Sequence, residues 1–404
     1  MRFLPTGEQS DFARTLRSLL GAAEVPATVR AWAAGDHGPG LALWSRLAGT
    51  GLCALAAPEA YEGLGPLPVE LALAFVELGR AGVAGPAVET AATVVLLGEL
   101  ARRGEEAPAK RFLPGLLTGD SLATLTLPGG SPYALDADAA EWCFAVRGAG
   151  DTATAAGAGP APDAGAGDTA AAAAASGVAA LTAASDSGSA RTRALALAPD
   201  AAPDAGELWL VPGGGERLAS LDPARGLFLP GAGGEPLAAG PAVSAAAGVA
   251  ARWARLLTAA QCLGVGEALL ARTVEYVKQR TQFGVPVGSF QAVKHRLADT
   301  LLDLEFARPL LWAAALSLSD GDVAAAKLTA GEAAYAAART ALQLHGAVGY
   351  TEELDLSLWL RRARPLRDAW GGPSQCRAEV VRSLPAPSGP PGLPQTTATR
   401  RVTT

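Results

Sequence analysis

Between about Ser10 and Thr118 the apolar residues recur three to four positions apart, as in Trp44, Leu47 and Leu52 and again in Leu71, Ala74, Phe75 and Leu78. That spacing lines one face of a helix, and the breaks at Gly65-Pro66 and Gly85-Pro86 divide the region into several helices. From Ser121 to about Leu229 the pattern changes to short apolar runs bounded by Gly, Pro and Asp: Leu122-Ala-Thr-Leu-Thr, Trp142-Cys-Phe-Ala-Val, Arg193-Ala-Leu-Ala-Leu, Leu208-Trp-Leu-Val and Gly226-Leu-Phe-Leu. Runs of this length predict the strands of a small β-barrel or sheet. Among them, Gly148 to Ala190 is nearly all Ala, Gly, Asp, Ser and Thr, which bury too little to offset the entropy of ordering, so a disordered insertion is expected there. From about Val243 the helical spacing returns. Leu256, Ala260, Leu263, Leu270, Val274 and Val277 form one stripe, and the next helix carries Val293, Leu297, Leu301, Leu304 and Leu311. An Ala-rich helix then runs from Val323 to about Leu344, and a last one covers Leu354 to Leu366. The order α, β, α predicts an α+β chain with a helical domain over 1–119, a β domain over 120–242, a helical bundle over 243–382 and a loose tail over 383–404.

Composition narrows the class. The chain has 404 residues, 50% of them hydrophobic, which suits two or three domains with a large core. Charged residues make up 18% and the formal net charge is -6, so a nucleic acid is not the expected partner, although a local basic pocket for a phosphate-bearing cofactor remains compatible. Cys53, Cys143, Cys262 and Cys376 lack metal-ligand or disulfide spacing and read as free thiols, which fits a cytoplasmic setting. The first residues lack the apolar run of a secretory signal. The longest uncharged stretches, near Ala170 and Ala246, are too weakly hydrophobic for a membrane span.

The most informative segment is Arg280-Thr-Gln-Phe-Gly-Val-Pro-Val-Gly-Ser-Phe-Gln-Ala-Val-Lys-His, which joins two long helices through Gly284, Pro286 and Gly288. Taken alone, Arg280 at a helix end has two readings of equal weight, a cation on the helix dipole or a ligand contact. The segment as a whole resembles the Arg-x-x-Phe-Gly signature of the acyl-CoA dehydrogenase family. Gln343-Leu-His-Gly-Ala-Val-Gly-Tyr, beginning 63 residues later, resembles that family's Gln-x-x-Gly-Gly-x-Gly loop, with Ala347 in place of the second Gly. Ala57-Pro-Glu-Ala-Tyr-Glu-Gly-Leu-Gly resembles a loop of its helical first domain. The resemblance implies the family's fold, with a C-terminal four-helix bundle that builds a homodimer or tetramer. It also implies FAD at subunit interfaces, an acyl-CoA substrate, and an electron-transfer flavoprotein or other acceptor. By the same resemblance Arg280 binds the FAD diphosphate, for which a guanidinium fork is suited, with Phe283, Gln291, Gln343, Leu344, His345, Gly346 and Ala347 as further FAD contacts.

Family enzymes remove an α-proton with a Glu while the β-hydrogen leaves as hydride to the flavin. Counted without gaps, that Glu falls on Trp370, and the alternative position used by a subset of members falls on Ala254. Neither side chain accepts a proton. Glu267 interrupts the apolar stripe of its helix and is a weak substitute, against the weightier reading of an interface salt bridge. Glu352 and Glu353 are expected to face water. Thr126-Leu-Pro-Gly-Gly-Ser is faintly similar to a flavin-facing segment of the family, but the Trp-Ile-Thr stretch that should follow has no counterpart, and with 15 residues from Thr126 to Glu141 a hairpin is expected to be missing. Leu221-Asp222-Pro-Ala-Arg resembles a closing turn of the β domain. His295 reads as a helix-surface residue, and no metal site is expected.

Three functions follow from the resemblance and its gaps. The first is an FAD-dependent acyl-CoA dehydrogenase, or its base-lacking subunit in a hetero-oligomer with a Glu-bearing homologue. The second is a flavoenzyme with an unrecognised base such as Glu267. The third is a structural or regulatory homologue without flavin.

Overall fold

The computed structural model describes residues 5–148 and 206–384. The insertion expected beyond Gly148, the strand expected at Arg193-Ala-Leu-Ala-Leu and the tail beyond Leu384 lie outside the described residues. The first six helices are α1 (Gly7–Gly21), α2 (Val25–Ala33), α3 (Gly38–Ala48), α4 (Pro68–Ala81), α5 (Ala87–Arg102) and α6 (Glu106–Thr118). The strands follow: β1 (Ala123–Thr126), β2 (Ala134–Leu135), β3 (Trp142–Arg147), β4 (Gly206–Val211), β5 (Leu227–Phe228) and β6 (Glu235–Gly240). Then come α7 (Pro241–Gln279), the hairpin β7 (Thr281–Gln282) and β8 (Val285–Pro286), and helices α8 (Gln291–Ser317), α9 (Asp320–His345), α10 (Leu356–Asp368) and α11 (Pro373–Ser383). The α+β architecture is the one the apolar pattern predicts.

The N-terminal stripe residues Trp44, Leu47, Leu52, Leu71, Ala74, Phe75 and Leu78 are all buried, in one core that continues through α7 and α9. Gly82, in a left-handed conformation with φ 76°, ends α4, as a residue without Cβ does at least cost. Helix α7 is 39 residues long, and two glycines set how closely it meets α4. A Cβ on Gly264 would lie 2.0 Å from the Val76 carbonyl oxygen, and one on Gly79 would lie 2.2 Å from that of Gln261. Among the described residues α7 is the one helix long and apolar enough to cross a membrane, but 78% of its apolar window is buried inside the fold.

The main sheet has the order β1-β3-β4-β6. Strands β1 and β3 pair in parallel, with Ala123 opposite Trp142, and the other neighbours are antiparallel. The link between Thr126 and Trp142 is therefore a crossover. It carries β2, which pairs with β5 in a separate two-stranded ladder. Thr90 of α5 fixes the helix to this sheet, since its hydroxyl donates to the Ala123 carbonyl at 2.9 Å and accepts the Ala123 N–H at 3.1 Å.

Three details correct the sequence reading. The helix expected to be last is followed by α11, a strand forms at Glu235–Gly240 where none was expected, and Leu301 is 47% exposed rather than part of a buried stripe.

Candidate functional site

Arg280 caps the C-terminus of α7. Its backbone N–H donates to the Tyr276 carbonyl at 2.9 Å, and its own carbonyl accepts the Val287 N–H at 2.7 Å, which closes the β7–β8 hairpin. The side chain is exposed and has no hydrogen bond or ion pair among the described residues. At the hairpin tip Phe283 takes φ 54° and Gly284 φ 81°. Phe283 is 92% exposed and meets Phe290 edge to face with centroids 6.3 Å apart, so it is not part of this chain's core. Gln291 opens α8 and is exposed.

The end of α9 approaches this hairpin through Tyr276. Its ring stacks on His345 with centroids 4.1 Å apart, and its hydroxyl donates to the His345 carbonyl at 3.3 Å. His345 is buried, which pulls its imidazole below the ordinary value and keeps it neutral. Its Nδ1 lies 2.8 Å from the Ala341 carbonyl, so this nitrogen must carry the proton and donate it. Gln343, Gly346 and Ala347 are exposed, and Leu344 is half-buried. Gly346 has φ 64°, and a Cβ there would meet nothing within 4 Å, so its backbone is open to a ligand. Sequence reading passed over Tyr276, which joins the two motif regions. Its signal was a lone aromatic one helical turn before Arg280.

Trp370, the residue expected at the family's base position, lies in a different place. Trp370 is buried in the wall of a cavity of about 360 Å³, with Glu89, Ser131, Tyr133, Arg225 and Gln375 also lining it. Gly129 and Gly130 from the Thr126-Leu-Pro-Gly-Gly-Ser segment reach the same wall. Trp370 adopts φ 54°, unusual for a bulky residue, and its indole N–H donates to Glu89 Oε1 at 3.0 Å. The surrounding loop is gripped by its carbonyls. Arg255 donates to that of Trp370 at 3.0 Å, and the buried Lys327 donates to those of Arg367 at 2.7 Å and Gly371 at 3.2 Å. Burial lowers the Lys327 ammonium from its ordinary value. Glu89 was missed in the sequence, where it stands as a single acid in the apolar run Ala87-Val-Glu-Thr-Ala-Ala-Thr-Val-Val.

Glu267 does not line this cavity. Its carboxylate is ion-paired with Arg80 and with Arg308 at 2.7 Å, within a chain of alternating charges from Arg17 through Glu77, Arg80, Glu267 and Arg308 to Glu305. Ala254 is fully buried in α7. Glu352 and Glu353 are exposed, with Glu352 paired to Arg361, and His295 is exposed on α8. Asp222 accepts the Ala224 N–H at 3.0 Å to shape its turn and pairs with the buried Arg362 at 2.8 Å, so that turn anchors the β region to α10.

Comparison with known proteins bears on the family and the fold. Residues 6–120 match the model of the acyl-CoA dehydrogenase N-terminal domain, and residues 245–383 match that of the C-terminal domain. The chain is 30% identical over 382 residues to the acyl-CoA dehydrogenase IpdE2 of Mycobacterium tuberculosis, covering 94% of this chain and 97% of that one. Among solved structures it superposes on a glutaryl-coenzyme A dehydrogenase in complex with glutaryl-CoA, with a TM-score of 0.71 and 20% identity over 94% of this chain and 96% of that one. The ChsE4-ChsE5 complex from Mycobacterium tuberculosis gives a TM-score of 0.65 and 23% identity over 96% and 100%. With the relative matched along nearly its whole length and both domain models in their proper order, the chain belongs to the acyl-CoA dehydrogenase family.

Proposed function

We propose that this chain is an FAD-dependent oxidoreductase that forms an α,β-double bond in an acyl-CoA thioester, working within a dimer, a tetramer or a heterotetramer with a homologue. The observation that carries the reading is the placement of Arg280: an exposed guanidinium without a hydrogen-bond or ion-pair partner among the described residues, on a hairpin whose apolar tip also projects into solvent. A diphosphate on a neighbouring subunit suits it. Gln291 and Gln343 offer exposed amides, the neutral His345 adds no charge of its own, and Gly346 leaves the backbone approachable, so these residues fit FAD. FAD, when bound, supplies the hydride acceptor.

The cavity wall at Trp370 supports a place for the acyl group beside the loop that carries the base in related enzymes. The indole there excludes water and donates one hydrogen bond but takes no proton. A homologue that brings a Glu would complete such a site, and the ChsE4-ChsE5 complex, with which this fold superposes, joins two differently named chains. Exposed Leu302, Phe306 and Leu310, four residues apart along α8, supply an apolar stripe for assembly. Electron-transfer flavoprotein is the acceptor the family implies. The four buried free thiols support a cytoplasmic site of action.

Purified alone, the chain should be yellow, and anaerobic addition of acyl-CoAs should bleach it if it is self-sufficient, or only after co-expression with the Glu-bearing homologue if it is not. A colourless protein in both settings would overturn the reading. Arg280→Ala should lower flavin occupancy several-fold, with far-ultraviolet circular dichroism and melting temperature of the flavin-free protein unchanged. Equal occupancy in the variant would remove Arg280 from the cofactor site.

A further inference from the structure

The cavity beside Trp370 is lined by two carboxylates that neither known base position supplies: Asp368, which is exposed and paired with Arg367 at 3.2 Å, and Glu89. Glu89 is 5% exposed, projects from α5 into the same cavity, and gives one oxygen to the Trp370 indole at 3.0 Å. Among the described residues no hydrogen bond or ion pair engages its other oxygen. A buried carboxylate without an ion-pair partner is costly, and when it stays in place at a cavity a ligand-facing role is the reason to look for. Its position is fixed from two sides. Thr90, the next residue, is locked to β1 by reciprocal hydrogen bonds, and the indole is held by a loop whose carbonyls Arg255 and Lys327 grip. Charge balance is available from Arg225, which lines the cavity and whose side chain has no hydrogen bond or ion pair among the described residues. Glu267, by contrast, is taken up between two guanidinium groups.

Resting on the dehydrogenase reading, we propose that Glu89 is the proton-accepting carboxylate of this cavity and that Trp370 is its positioning residue. The acyl α C–H bond breaks and its proton passes to the free oxygen of Glu89. The electron pair left on the α-carbon forms the new C=C bond, and the β-hydrogen departs with its own pair to an oxidised flavin, which is reduced. Placing the base on α5 leaves position 370 free of charge and lets one chain do what the vacant position would assign to a partner.

The proton-transfer half can be followed without flavin. Flavin-free full-length chain is incubated in heavy water with butyryl-, octanoyl-, glutaryl- and 3-cyclohexylpropionyl-CoA, and deuterium at the α-carbon is read by mass spectrometry. Wild type and Glu267→Gln should exchange at least one thioester, and Glu89→Gln, which preserves shape and can still accept the indole hydrogen bond, should be about 100-fold slower or worse. In Trp370→Phe exchange should slow and its pH midpoint should move, while melting temperature alone changing would leave that ring a packing role only. Independently, the one indole N–H resonance that Trp370→Phe removes should move in Glu89→Gln, where a neutral amide replaces the carboxylate that accepts its hydrogen bond. Equal exchange in Glu89→Gln, or none in wild type with all four thioesters, overturns the assignment. Bleaching of the flavin-loaded chain by an acyl-CoA despite Glu89→Gln would then show that dehydrogenation stands and the base lies elsewhere. Absence of flavin reduction even with the homologue would remove the dehydrogenase reading itself.

Discussion

At the scale of single residues, burial decides what each ionisable group does. Asp136 is 1% exposed, and desolvation drives its carboxyl up to about 7 even though the Gly226 N–H donates to it at 2.6 Å and Arg225 favours its charged form. The unfolded chain gives up this proton near the ordinary carboxylate value, whereas the folded chain holds it. Between those two values the native state binds one proton more, so its contribution to stability is complete at low pH, falls as pH rises and is lost above about 7. Asp136→Asn should remove that slope, gaining on wild type by roughly 4 kcal/mol as pH goes from about 4 to about 8. Urea unfolding at a series of pH values checks it, and parallel curves for the two proteins would sink it. Such a group leaves little trace in a sequence: Asp136, like Glu89, is one acid among small residues, and only the packed structure shows what faces it. Arg280 could be singled out because it stands at a glycine- and proline-marked connector, and the structure shows its side chain exposed there, while Glu267 was readable as an ion-pair residue because it interrupts an apolar stripe.

Among elements, the helices followed from periodicity because each buries a face, and what escaped are elements that bury little. Strand β6 contains Pro236 and two alanines, with no β-branched residue, and forms on the edge of the sheet by pairing with β4. Helix α11 buries only Cys376, so it has no stripe to detect. Strand β2 is two residues long and owes its existence to β5. Helix α7 permits a sharper test, since glycines within one helix face different surroundings. Gly264→Ala would drive a methyl into the α4 backbone and should cost about 3 kcal/mol or more. Gly248→Ala, where a Cβ meets nothing within 4 Å, should instead stabilise by about 0.5–1 kcal/mol, because alanine is the better helix former. Thermal unfolding of the two variants checks the pair, and equal effects would mean the helices do not cross as described.

For the whole molecule, a large core runs through the helices, a smaller cluster fills the β region, and the hairpin and α8 carry a group of exposed apolar side chains. Phe283, Leu302, Phe306 and Leu310 all belong to the hairpin or to α8, and Arg280, unpaired among the described residues, stands where α7 leads into that hairpin. Burying Phe306, now 71% exposed, against a neighbour would contribute about 1–2 kcal/mol per subunit. Phe306→Glu should therefore shift the assembly towards smaller species in light-scattering chromatography and lower flavin content with it. An unchanged mass would place the interface elsewhere.

The grip of Arg255 and Lys327 on the loop around Trp370 acts through backbone oxygens alone, which every amino acid possesses. The main chain there is consequently held at points that do not depend on which side chain stands at position 370, although its φ of 54° disfavours β-branched residues. A socket of that kind accepts a new occupant without rebuilding its frame, so a proton acceptor can be lost, regained or moved to a facing helix by single replacements while the rest of the protein keeps its shape.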